Sequence, residues 1–177
     1  MKQGYTKEEL ETARFITINN AAKRTEDYEI ADAAYRLARD TGLVELVDES
    51  TNTYAYKVLD PSQDMNMTSV LGEITTATIK LKKAQSETEY VTTMENLLRI
   101  VGVNKEDTPI LTRTTTALTM LDSLVESKSI KKKQAAEIFE NLRRSKVISG
   151  SDYDISKAKN VSAVKSYNKF HKYNEIF

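Results

Sequence analysis

The spacing of apolar residues predicts helices over most of the chain. From Thr68 onward, apolar positions recur every three or four residues in four successive segments, which is the period of one helix face. The predicted inward positions are Val70, Ile74, Ala77, Leu81 and Ala84; Tyr90, Met94, Leu97 and Val101; Ile110, Thr114, Ala117, Leu121 and Leu124; and Ala135, Ile138, Phe139 and Leu142. Gly102 is placed to close the second helix, Pro109 to open the third and Ser129 to cap the fourth. These short stripes favour a helical bundle over a long coiled coil.

The first 60 residues predict two helices followed by a hairpin. A Thr-x-x-Glu capping box opens a helix over residues 6–23, and a second apolar stripe predicts a helix over residues 26–40. Gly42 stands where a left-handed C-terminal cap is needed. The period then changes to two, which predicts the single β-hairpin of the chain at residues 43–59. The polar, proline-containing segment 60–64 ends this unit.

The last 29 residues, 149–177, have a different character. Loop-forming residues come first, and a basic segment with scattered aromatic rings follows, without a strong apolar stripe. We predict that this segment is an arm that binds a protein partner. The predicted contact residues are Lys165, Tyr167, Lys169, Phe170, Lys172 and Tyr173.

Two alternatives to a partner-binding arm stay open on the sequence. The rings can dock on the bundle of the same chain while the lysines remain solvated. The segment can also bind nucleic acid, because lysines neutralise phosphates and aromatic rings stack on bases. The absence of arginine from the segment disfavours specific base recognition, which relies on bidentate contacts to guanine.

The predicted fold class is therefore mainly α. We divide the chain into a helix-helix-hairpin unit at 1–60, a four-helix region at 68–148 and the basic-aromatic C-terminal arm at 149–177. The order of a helix followed by a hairpin also occurs in winged-helix DNA-binding units. Here only two helices precede the hairpin, and the candidate recognition helix carries Asp32 and Asp40. An acidic helix is better suited to a basic protein surface than to DNA.

Charge is distributed unevenly although the net charge is +0. Residues 1–60 carry 12 acidic and 8 basic side chains, residues 61–130 carry 9 and 7, and residues 131–177 carry 5 and 11. The C-terminal third is thus strongly basic. Two basic groups lie at the ends of the predicted fourth helix: Lys131, Lys132 and Lys133, then Arg143, Arg144 and Lys146.

The inventory of reactive side chains is small. The 177 residues include one histidine (His171) and no cysteine, and these two residue types carry much of acid–base, nucleophilic and transition-metal chemistry. No glycine-rich phosphate loop or nucleophile elbow occurs. We therefore predict a protein that is not an enzyme, with no catalytic residue, no metal site and no cofactor.

No apolar run approaches the roughly 20 residues of a membrane span, and no signal-peptide pattern begins the chain. The expected location is cytoplasmic. From these observations we predict a structural or assembly (adaptor) protein that binds protein partners in a larger complex. Contacts between its acidic and basic ends would also favour homo-oligomers. The alternative is a nucleic-acid-binding regulatory protein that uses the basic C-terminal third.

Overall fold

The computed structural model describes the backbone of residues 13–17, 25–48, 53–57, 67–151 and 161–176. Side-chain environments are described for residues 33–44, 70–151 and 161–176. This part of the chain is mainly helical, as the apolar spacing predicted. Its six helices are α1 (Thr25–Asp40), α2 (Met67–Lys83), α3 (Glu87–Ile100), α4 (Ile110–Glu126), α5 (Lys132–Arg144) and α6 (Val161–Ile176).

Three short strands form an antiparallel sheet in the N-terminal part. They are β1 (Ala13–Thr17), β2 (Val44–Asp48) and β3 (Thr53–Lys57), in the order β1-β3-β2. β2 and β3 are antiparallel neighbours inside the predicted hairpin range. The turn between them, 49–52, lies outside the described residues, so the complete hairpin stays a prediction.

The helix predicted over residues 6–23 is wrong at Ala13–Thr17, where the backbone is the edge strand β1. The sequence Ala-Arg-Phe-Ile-Thr ends in an aromatic and two β-branched residues, which favour strands. Pairing with β3 supplies the backbone hydrogen bonds that a helix would have made internally. The rest of the predicted helix lies outside the described residues.

One apolar core runs through all six helices. α2 packs against α1 and α3, α4 against α1, and α5 against α3 and α6. The core cluster includes Leu37 of α1, Met94 of α3, Leu121 of α4 and Phe170 of α6. The core therefore joins segments that the sequence analysis assigned to three separate units.

Most of the predicted inward positions are buried. Ile74, Leu81, Leu97 and Leu142 are examples with essentially no exposed surface. Val70 and Val101 are half-buried, and Ile110 is 38% exposed at the start of α4. The buried side chain in this first turn is Arg113, which the stripe of apolar residues did not include.

Four helices end in the same way. At the ends of α1, α3, α4 and α5, the backbone N–H of a residue with positive φ donates to the carbonyl oxygen three residues earlier. The N–H of the next residue donates to the carbonyl oxygen five residues before it. This is the pattern of the Schellman motif, in which the left-handed residue turns the chain away from the helix axis. The left-handed residues are Gly42 and Gly102, both with φ of 85°, and Lys128 and Lys146, both with φ of 61°. The predicted C-cap positions of Gly42 and Gly102 are thus confirmed.

The helix starts agree less well with the sequence analysis. Pro109 precedes α4 as its N-cap instead of occupying the first helical position. Ser129 does not cap α5, because the N-cap is Lys131 and no side chain caps this helix. Ser129 instead shares a hydrogen bond of 2.9 Å between its hydroxyl and that of Ser127. Among the described helices, none is long and apolar enough to cross a lipid bilayer.

Candidate interaction surfaces

The C-terminal helix α6 is docked on the bundle by its aromatic rings. Tyr167 and Phe170 have no exposed surface. The centroid of the Phe139 ring lies 4.9 Å from that of Tyr167, edge-on, and 5.9 Å from that of Phe170. The Tyr167 hydroxyl donates a hydrogen bond of 2.9 Å to the carbonyl oxygen of Ser149. Docking on the same chain was the alternative to a free arm, and the structure has this arrangement.

The predicted contact residues consequently separate into two groups. Tyr167 and Phe170 are core residues and cannot reach a partner in this structure, because the bundle covers them on all sides. The three lysines, Lys165, Lys169 and Lys172, are exposed, and Tyr173 is half-buried. The apolar face of α6 is formed by Ala163, Tyr167 and Phe170.

The outward face of α6 combines lysines with exposed apolar side chains. Val161 is 68% exposed and Ile176 is 65% exposed. Between them, at helical spacing, lie exposed Lys165, Asn168 and Lys172. We call these five residues the α6 outer face. It is the part of the predicted contact segment that remains available to a partner.

Lys169 is held against the bundle instead of pointing away from it. Its ammonium donates a hydrogen bond to the carboxylate of Asp122 on α4. The hydroxyl of Ser166 donates to the other oxygen of the same carboxylate. Asp122 therefore pins the middle of α6 to α4.

A second surface is built from lysines of two helices. Exposed Lys80, Lys82 and Lys83 lie in the last turn of α2, and exposed Lys131, Lys132 and Lys133 lie at the start of α5. The side-chain amide of Gln134 joins these helix ends, because it donates to the carbonyl oxygens of Leu81 at 3.0 Å and Lys82 at 3.3 Å. We call these six lysines the lysine end.

No carboxylate of the described residues forms an ion pair with any lysine of the lysine end. Two of the neighbouring acidic groups have other partners. Glu87 lies 3.7 Å from the Arg144 guanidinium, and Glu137 accepts a weak hydrogen bond of 3.4 Å from the Tyr90 hydroxyl. The Lys132 ammonium lies 5.9 Å from the centroid of the Tyr173 ring. The surface thus carries concentrated positive charge beside one aromatic ring.

The second basic group, Arg143, Arg144 and Lys146, lies at the C-terminal end of α5, where the Arg143 side chain is bonded within the fold. Arg143 donates to Glu140 and to the carbonyl oxygen of Gly150, both at 2.9 Å, and lies over the rings of Phe139 and Tyr167. These side chains lie at the opposite end of α5 from the lysine triplet, roughly 15–18 Å away by the rise of a helix. The two basic groups thus lie at the two ends of this helix, as predicted, and the lysines at its start have the lysines of α2 as neighbours.

Arg113 is a buried cation that the sequence analysis missed. Its side chain is only 9% exposed. Nε donates to the carbonyl oxygen of Val147 at 2.9 Å. One terminal nitrogen donates to the carbonyl oxygens of Lys105 at 2.9 Å and Thr108 at 3.0 Å, and the other donates to the carbonyl oxygen of Lys146 at 3.3 Å. The guanidinium therefore holds the α3–α4 loop against the residues that follow α5. The signal in the sequence was its spacing, because position 113 is four residues before Ala117 and eight before Leu121 on one helix face.

Two clefts are lined by described residues of the bundle. The first, with a volume of about 380 Å³, lies beside Arg113 and is also lined by Glu95, Asn96, Arg99 and Glu106. The second, about 330 Å³, lies between α4 and the start of α6. In the second cleft, Thr115 and Thr119 donate to backbone carbonyl oxygens of α4, and Asp122 is bonded by Ser166 and Lys169 of α6.

One titratable group has a clearly shifted pKa. Burial raises the pKa of Tyr90 above its ordinary value of 10.0, and the negative charge of Glu137 raises it further. The shift moves ionisation of this phenol away from neutral pH, so it does not prepare Tyr90 for acid–base chemistry near pH 7. His171 lies at the surface, with Nδ1 3.3 Å from the Arg143 guanidinium. Within the described residues, no three histidine or acidic side chains are grouped as metal ligands.

No family model matches this sequence, and neither a curated protein nor a solved structure matches the chain.

Proposed function

We propose that this chain is a non-catalytic structural or assembly protein, an adaptor that binds a protein partner in a larger complex. The observation that carries the proposal is the α6 outer face, where the two most exposed large apolar side chains of the described residues share one face with Lys165 and Lys172. Apolar groups bordered by charge are the composition of many protein contact surfaces.

The way α6 is held supports a contact role for its outer face. Tyr167 and Phe170 fix the inner face in the core, and Asp122 fixes the middle of the helix. The outer face is therefore presented on a rigid element. A rigid surface loses little conformational entropy when a partner binds, which favours affinity.

The use of the buried polar groups also supports a non-catalytic role. Arg113 donates to four carbonyl oxygens, and Thr114 accepts from the backbone N–H of Ser149 at 2.8 Å. These groups stabilise loops and helix ends. Their hydrogen-bonding capacity is spent on the fold, so they are poorly placed to act on a substrate.

Site-specific photo-crosslinking tests the proposal. A photoreactive phenylalanine derivative replaces Asn168, at the centre of the α6 outer face, in the full chain expressed in its own cells. The matched control carries the same group at Thr112, an exposed position on α4. We expect a discrete protein adduct from position 168 only, and we expect the double variant Val161→Ser, Ile176→Ser to remove it.

Two outcomes would overturn the proposal. The first is the same set of adducts from positions 168 and 112, which would indicate random collisions. The second is an adduct at 168 that nuclease digestion removes, which would favour the nucleic-acid-binding alternative. An adduct whose mass equals two copies of this chain would identify the partner as a second copy.

A further inference from the structure

We infer that the lysine end binds the phosphate backbone of nucleic acid. The inference is independent of the protein contact proposed for the α6 outer face, since it rests on the six lysines of α2 and α5. Sequence position alone does not associate these lysines, because the two triplets are about 50 residues apart. The hydrogen bonds from Gln134 to Leu81 and Lys82 bring them to one end of the bundle.

The charges of the α5 triplet are not explained by the stability of the fold, whereas the α2 triplet lies in the last turn of its helix, where the dipole favours cations. Lys131, Lys132 and Lys133 lie at the N-terminus of α5, where the helix dipole is positive and disfavours cations. Lys131 also occupies an N-cap position that a residue such as serine or aspartate would stabilise. Like charges of the α2 triplet add to this repulsion across the Gln134 contact. An external polyanion would remove the unfavourable term.

The residue type favours phosphate over an acidic protein surface. All six cations of the lysine end are lysines, and none is an arginine. Unlike the α6 outer face, the lysine end includes none of the exposed large apolar side chains of the described residues, and flexible lysine side chains act as point charges on phosphate groups.

Binding of a labelled 20-base-pair duplex and of a labelled RNA 20-mer, measured by fluorescence anisotropy at several salt concentrations, tests the inference. If all six lysines contact phosphates, the slope of log K against log salt for the duplex is about −5, and affinity falls about 10³-fold between 50 and 200 mM salt. The variant Lys82→Gln, Lys83→Gln and the variant Lys131→Gln, Lys133→Gln should each make the slope smaller in magnitude by about 2.

The matched control is Lys105→Gln, Lys146→Gln, which removes two exposed lysines outside the lysine end. It should leave the salt slope unchanged, and thermal unfolding checks that every variant is folded. An equal loss in the control would contradict the inference, as would an effect of the α5 pair without an effect of the α2 pair. Tighter binding of polyglutamate or of phosphatidylserine vesicles than of both nucleic acids would also overturn it. These assays do not depend on the α6 crosslink, so either proposal can fail alone.

Discussion

The phenol of Tyr167 and the carbonyl oxygen of Ser149 are joined by a buried hydrogen bond of 2.9 Å. The bond ties the centre of α6 to the residues just after α5, beside the edge-on contact between Tyr167 and Phe139. A segment with a weak apolar stripe is thus held by a few large buried rings. Because the segment is part of the bundle core, we expect its removal to destabilise the bundle.

Phe170→Ala should lower the free energy of unfolding by about 3–5 kcal/mol, because it deletes a fully buried ring from the core. Asn168→Ala, on the exposed side of the same helix, is the control and should change stability by less than about 0.5 kcal/mol. Urea denaturation followed by circular dichroism measures both. Equal, small effects at the two positions would mean that α6 is a free arm.

The left-handed lysines predict a stabilising substitution. Lys146 has a φ of 61°, where a side chain is strained and glycine is not. Lys146→Gly should therefore raise the free energy of unfolding by about 0.5–1 kcal/mol. Lys105, which is not among the positive-φ residues, is the control, and Lys105→Gly should not stabilise the protein. A lower free energy of unfolding for Lys146→Gly would contradict the proposed strain at this position.

Tyr90 predicts a weakening of the fold at alkaline pH. Because the pKa in the folded state is raised above the ordinary value of 10.0, the neutral phenol is favoured by folding. This contribution is complete below about pH 10, and it is lost as pH rises through the higher pKa of the folded state. Chemical denaturation between pH 8 and 11 should show a smaller alkaline loss of stability for Tyr90→Phe than for the unchanged protein. If the free energies of unfolding of the two proteins changed with pH in parallel, the effect of Tyr90 would be excluded.

Arg113 predicts a large loss of stability even for a conservative change. Arg113→Lys keeps the charge, but a single ammonium cannot replace donors that reach four carbonyl oxygens in a planar arrangement. Unfolding free energy should fall by about 3 kcal/mol, since buried carbonyl groups lose their partners. Arg99→Lys on the exposed end of α3 is the control. A loss below about 1 kcal/mol at position 113 would show that water replaces the guanidinium.

The helices were predictable because burial recurs with a fixed period. Ile74, Met94, Leu121 and Phe139 all follow the spacing of one helix face and are all buried. Two glycine C-caps were predictable for a related reason, because only glycine reaches positive φ without strain. Lys128 and Lys146 also have positive φ, but a lysine in the sequence does not indicate this conformation.

The other features depend on contacts distant in sequence. Strand β1 exists because Ala13–Thr17 pairs with Thr53–Lys57, about 40 residues away. The lysine end depends on the reach of Gln134 to α2. In α6, a periodicity analysis underestimates Tyr167 and Phe170, whose large rings pack on Phe139, because it counts apolar positions and ignores their size.

The guanidinium of Arg113 also has a kinetic consequence. If either the α3–α4 loop or the chain after α5 separates from the bundle, the buried charge loses part of its hydrogen bonding, and the other attachment weakens with it. The two loops, whose bonded residues are up to 34 positions from Arg113, should thus behave as one unit of local unfolding. Amide hydrogens that depend on either loop would then exchange with solvent at similar rates, so that a single side chain sets the cooperativity of this end of the molecule.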